Sequence, residues 1–235
     1  MDFAENYAVL SQHEIQQAHF CKAQIALYTA AVTSKDFHKS YIVVSDENDH
    51  GKFAVWNFMR EIMRDLKNKC PLVKEVKYFT DGCAQQFKNV YTLSSLCHSY
   101  EDFEFTAEHH FMGTSHGKGS HDGIGGSIKR RVRDRVLSEN LKITTAEEFF
   151  ETAKDIATAT EILLVLKSTI ESSKAFLTKR WENVQSMPGM RSCHSFIPLN
   201  ELEIQAAVTS RNDDPRIYKI KRNNIKIKRN SKLRK

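Results

Sequence analysis

Three aspartates stand where carboxylates can do phosphoryl chemistry. Asp2 lies in a short aromatic segment, Asp81 follows the apolar run from Val73 to Thr80, and Asp122 opens a helical pattern. Carboxylates are hard oxygen ligands, so a converging trio suits two Mg²⁺ or Mn²⁺ ions. Such a pair, about 3.5–4 Å apart, activates a water or hydroxyl and stabilises the leaving oxygen of a phosphodiester. The catalytic and metal-ligating roles therefore fall together on Asp2, Asp81 and Asp122, with Glu108 as an alternative third acid. Singly, each is an ordinary turn or cap residue; the helix dipole alone would favour Asp122 at its position. Their order along the chain is what raises the functional reading.

Polar and basic residues flank these acids. Gln85, Lys88 and Asn89 follow Asp81 at a strand–helix junction, where donors suit a phosphate; turn chemistry and capping are the plain alternative. His116, Lys118 and His121 share a loop with Gly117 and Gly119, and glycine permits close backbone approach to an anion. The loop lacks the Gly-x4-Gly-Lys-Ser/Thr order of a nucleotide-binding turn. Lys129, Arg130, Arg131, Arg133 and Arg135 fall within seven positions with no acid before Asp134. That density suits contact with a nucleic-acid backbone, a solvated face being the ordinary alternative. His109, His110, His116 and His121, even with Cys97-His98, lack zinc-site spacing and have no Cys-x-x-Cys partner.

The elements that must position these residues are legible in part. Ala23 to Val32 is almost continuously apolar and Tyr41 to Val44 is a short apolar run, so the two read as strands of a hairpin across the polar stretch 33–40. Phe53, Trp56, Met59, Ile62, Met63 and Leu66 recur at steps of three and four and predict a helix ended by Pro71. Val73–Thr80 and Phe103–His109 read as strands, and Tyr91–His98 as a short helix. From Asp122 onward Ile124, Ile128, Val132 and Val136 predict a helix. Thr145-x-x-Glu148 is a capping box opening another. Ile162–Leu166 is open between strand and helix core, and a helix is expected from about Thr169 to Trp181. The predicted fold is α/β: three strands before the first helix, then alternation, the element order of ribonuclease-H-like mixed sheets with flanking helices. The expected division is a core over 1–140, a helical extension over 141–215 and a basic disordered tail over 216–235.

The chain has 235 residues, 35 Lys+Arg and 29 Asp+Glu. Ten of those bases and no acid lie between Arg216 and Lys235, so the rest carries 25 positive against 29 negative charges. The tail, with Lys221, Arg222, Lys228 and Arg229, reads as a nucleic-acid arm or nuclear-import signal. Five scattered cysteines point to a reducing, intracellular setting, and the tail makes the nucleus the expected place. No apolar run reaches the ~18 residues of a membrane span and no secretory signal opens the sequence, so no membrane association is expected.

The segments Asp2-Phe-Ala-Glu-Asn-Tyr7, Thr80-Asp-Gly-Cys-Ala-Gln-Gln-Phe-Lys-Asn89 and Thr114–Arg130 resemble a group of metazoan proteins associated with DDE-type transposases and their domesticated relatives. The resemblance covers about residues 1–200. It implies a ribonuclease-H-like catalytic core that cuts or joins DNA with two Mg²⁺ or Mn²⁺ ions. Asp2, Asp81 and Asp122 match the three acids, with 40 residues between the last two; an Asp in third place departs from the more usual Glu. With only one residue ahead of Asp2, the resemblance also implies a first strand truncated at its upstream half and a chain lacking the usual N-terminal DNA-binding domain. The expected functions are, first, a transposase-derived nuclease domain. The second is an inactive, domesticated DNA-binding or scaffold protein, and the third a zinc-binding module. DNA is the expected partner, and oligomerisation is left open.

Overall fold

The computed structural model describes residues 1–8, 24–113, 120–209 and 214–221, with the backbone alone described at 120–122. Its strands are β1 (Asp2–Ala8), β2 (Gln24–Thr33), β3 (His38–Ser45), β4 (Glu75–Thr80), β5 (Thr106–Phe111), β6 (Thr160–Leu164), β7 (Ser195–Pro198), β8 (Glu203–Ala207) and β9 (Arg216–Lys219). Its helices are α1 (Lys52–Lys69), α2 (Val90–Leu96), α3 (Ser99–Phe103), α4 (Ser120–Ser138), α5 (Ala146–Ile156) and α6 (Lys167–Arg180). The strands fall into two mixed sheets, in the orders β1-β2-β3-β6 and β4-β5-β7-β8-β9. The single mixed sheet expected from element order is thus divided. β1 begins level with the carboxyl end of β4, and the Met1 amine donates to the Phe79 carbonyl at 2.9 Å across the divide.

The hairpin β2–β3 is antiparallel, and β6 adds parallel to β3. Its apolar runs exist because both of its faces are covered. Tyr28, Ala30, Tyr41 and Val43 point into one core with Phe58, Ile62 and Met63 of α1. The intervening Leu27, Ile42 and Val44 point into a second core with Ile128, Val132 and Val136 of α4 and Phe149 of α5. The capping box opens α5 as expected: Thr145 accepts from the Glu148 amide, and Glu148 accepts from the Thr145 amide, both at 3.2 Å.

Three expectations are corrected. The inward face of α1 is wider than the periodic stripe, because α1 lies between the first sheet and α6; Val55 and Phe58 are fully buried, and Asn57 is buried with its amide on Ser173 Oγ at 2.7 Å. The segment 141–215, expected to be helical, holds α5 and α6 but also β6, β7 and β8. Residues 216–219, expected as disordered tail, form β9, because Tyr218 pairs with Ile204 of β8. Lys221 follows in a bridge with Val184.

A glycine sets how closely α4 approaches β1. A Cβ on Gly125 would lie 2.6 Å from Ala4 Cβ and 3.4 Å from Thr29 Cγ2, whereas one on Gly126 would meet nothing within 4 Å. Gly125→Ala should therefore cost about 1–3 kcal/mol through overpacking. Gly126→Ala should gain about 0.5–1 kcal/mol through helix propensity. Urea unfolding of the two variants checks this, and equal shifts would mean that the helix does not rest on the strand.

Beside Met1 the two sheets leave a slot of about 1000 Å³ between Ala31–Thr33 of β2 and Val76–Phe79 of β4, with Met63 and Leu66 of α1 also lining it. In this stretch β2 pairs only with β3, and β4 only with β5, among the described residues.

Candidate functional site

Asp81 follows the last residue of β4. Its Oδ1 accepts from the Cys83 amide at 3.1 Å, which turns the chain away from the strand. Asp2 opens β1 opposite Thr29 of β2; its Oδ1 accepts from the Phe3 amide at 2.7 Å, and its carbonyl accepts from Thr29 Oγ1 at 3.1 Å. The two aspartates, 79 positions apart in sequence, meet electrostatically at Tyr28. The Tyr28 phenol is fully buried and its hydroxyl has no hydrogen-bond partner among the described residues. Burial raises its pKa well above the ordinary phenol value, and Asp2, Tyr78 and Asp81 raise it further. Both carboxylates thus disfavour ionisation of the same buried hydroxyl.

His50 borders this place and was not anticipated. Its ring stacks on Phe3 at 3.9 Å between centroids, its buried Nε2 has no partner, and burial lowers its pKa. The sequence signal was slight: one histidine in a polar loop before a helix.

His109 supports the end of β4 from the neighbouring strand. Thr80 Oγ1 donates to the Asp81 carbonyl at 3.0 Å, so it accepts from His109 Nε2 at 2.8 Å. This fixes the neutral Nε2–H tautomer and leaves the buried Nδ1 without a partner. Burial holds the His109 pKa down at about 3, with the N-terminal amine and His110 adding to the effect. Tyr78 and Phe111 also face the ring. The unfolded chain takes this proton near pH 6.5, and the folded one only near 3. Stability is therefore complete above about pH 6.5 and falls on acidification toward pH 3, by up to about 1.4 kcal/mol per pH unit. Unfolding free energies of the native chain and His109→Phe between pH 7 and 4 test this; parallel slopes would remove His109 as the cause.

The other expected site residues divide. Glu108 sits mid-strand opposite Lys77, and its carboxylate pairs with Lys77 at 3.2 Å and His110 at 2.9 Å. It is thus held by two side chains of its own sheet. Lys88 turns inward, buried, with its ammonium on the Arg191 carbonyl at 2.8 Å, so it does not present itself to a phosphate. Asn89 is the N-cap of α2, accepting from the Tyr91 and Thr92 amides, which is capping chemistry. Gln85 is exposed. On α4, Lys129 is engaged by Glu5, Arg131 by the Ile156 carbonyl, and Arg135 by Glu139 and Asp155. Arg130 and Arg133 are exposed without a hydrogen bond or ion pair among the described residues. Lys221 belongs to the fold, with its ammonium 3.3 Å from His98 Nε2. The side chains of Asp122 and His121, and His116, Lys118, Arg222, Lys228 and Arg229, lie outside the described residues.

Among the described residues, no three His, Cys, Asp or Glu side chains gather closely enough to hold a metal ion. The carboxylates of Asp2 and Asp81 are hard oxygen donors, whose chemistry suits Mg²⁺ or Mn²⁺ better than zinc. No helix among the described residues is long and apolar enough to cross a membrane.

The class these observations define is a mixed α/β protein of two mixed sheets, with Asp2 and Asp81 at the seam between them. The chain belongs to a family whose sequence model, described as a domain of unknown function (DUF8701), matches residues 1–210. No curated protein and no solved structure matches the chain.

Proposed function

We propose that this chain is a ribonuclease-H-like, transposase-derived domain that cuts or joins DNA using Mg²⁺ or Mn²⁺. The observation carrying the proposal is that β1 begins level with the carboxyl end of β4, with the Met1 amine on the Phe79 carbonyl at 2.9 Å, which brings Asp2 and Asp81 to the same seam. In this reading Asp2, Asp81 and Asp122 hold two ions. When bound, the ions lower the pKa of an attacking water or hydroxyl and stabilise the leaving oxygen. Asp81 is oriented by its turn and by the Thr80–His109 bond behind it. Arg130 and Arg133 hold the DNA backbone, and the tail beyond Lys221 adds sequence-independent affinity and nuclear targeting. A second reading, an inactive DNA-binding protein, draws support from the same two arginines, because phosphate contacts need no metal. Nicking of supercoiled plasmid with Mg²⁺ or Mn²⁺, measured beside DNA binding, separates the two. Binding without nicking under both ions would leave the second.

A further inference from the structure

A groove of about 1420 Å³ crosses the second sheet at the amino-terminal ends of β4 and β5, the end away from Asp81. Five glutamates line it, Glu75, Glu101, Glu108, Glu201 and Glu203, against two lysines, Lys219 and Lys221. The negative charge is only partly answered. Glu75 and Glu108 share Lys77, and Glu101 meets His98. Glu201 has no hydrogen bond or ion pair among the described residues. Leu199 and Leu202 add apolar surface to the wall, at 47% and 36% exposure.

The chain itself leads into this groove. Ile220 donates its amide to the Leu202 carbonyl at 2.7 Å and accepts from the Gln185 amide at 2.9 Å, which fixes the strand leaving β9 at the groove wall. Lys221 is the last described residue there. The fourteen residues after it, 222–235, carry seven Lys/Arg and no acid, with Ile225, Ile227 and Leu233 between them. Fully extended they reach up to about 46–50 Å, ample to cross the groove.

We propose that residues 222–235 dock in this acidic groove of their own chain. The bases meet the glutamates, and the interleaved isoleucines and leucine cover Leu199 and Leu202. Tethering at Lys221 gives the tail an effective concentration in the millimolar range, so modest charge pairing suffices. The docked tail is withheld from nucleic acid until a stronger polyanion, or salt, draws it off. The docking does not depend on the proposed nuclease activity.

Trypsin reads the tail directly, since each base in it is a cleavage site. Cleavage within 222–235 of the intact chain, followed by mass spectrometry, is compared with a synthetic peptide of the same residues. At ~50 mM salt the tail of the intact chain should be cut at least about fivefold more slowly than the peptide, and ~500 mM salt should abolish the difference, as screening requires. The triple variant Glu101→Gln, Glu201→Gln, Glu203→Gln should be cut at the peptide's rate in low salt, its fold being checked by circular dichroism. Cleavage of the native tail at the peptide's rate in low salt overturns the proposal. So does protection that survives high salt, and that arm stands even if the variant fails to fold. Protection that grows with protein concentration overturns docking within one chain and assigns the groove to a second copy's tail.

Discussion

Replacing Asp81 with asparagine should lower metal-dependent nicking of supercoiled DNA by more than about 100-fold. Loss of groups that merely support metal ligands costs 10–100-fold, and a ligand itself should cost more. Asparagine is the informative change because its Oδ1 can still accept from the Cys83 amide, now at 3.1 Å, so the turn after β4 survives. The Tyr28 hydroxyl would lose one of the two carboxylates acting on it, but no packing atom. Mn²⁺ affinity measured by calorimetry gives a readout that does not depend on turnover, and it should weaken in parallel. Equal nicking and equal affinity in the two proteins would show that the acids at this seam are not the site.

Asp102→Ala should destabilise the fold by about 3–5 kcal/mol, the usual cost of stranding one member of a buried ion pair. Arg180 near the end of α6 makes two bonds to the Asp102 carboxylate on α3, one of them at 2.7 Å, with the two side chains 7% and 15% exposed. The guanidinium also lies over Phe176, at 4.6 Å from the ring centroid. Without the carboxylate it would have no charge partner in a nearly dry position. The double variant Asp102→Leu with Arg180→Met should recover most of the loss, because a well-packed apolar pair removes both desolvation costs. Urea unfolding of the three proteins checks this. A double variant as unstable as Asp102→Ala would mean that the site depends on the ion pair for its packing geometry.

Elements with strong local patterns were legible in the sequence. The β2–β3 hairpin, the Ile128–Val132–Val136 stripe of α4 and the Thr145–Glu148 box each carry their own signal within a few residues. β7, β8 and β9 do not. Phe196, Ile204 and Tyr218 are few and widely separated, and what makes them strands is pairing with one another and with β5, which no local window contains. The same holds at the candidate site. Asp81 was named because functional acids stand at the carboxyl ends of strands, and Asp2 because its segment carries part of the family resemblance. Tyr28 and His50 were not, since their interest comes from burial without a partner, a property of the fold. Lys88 and Asn89 follow the same logic in reverse. Polar residues after a strand resemble a phosphate-binding turn, but Lys88 is drawn inward by the Arg191 carbonyl and Asn89 by the open end of α2.

The slot beside Met1 has a consequence for how this molecule behaves in company. A sheet edge is a template, and here two edges border one trough, with the backbone of β2 on one bank and that of β4 on the other. An extended segment lying in it would meet an unpaired stretch of edge on either side. Lys69 and Lys77 line the trough, and each ammonium is held by two carboxylates, Asp65 and Glu161 for the first, Glu75 and Glu108 for the second. Salt or acid that loosens those ion pairs would therefore change the charge met by any strand that approaches this stretch of edge.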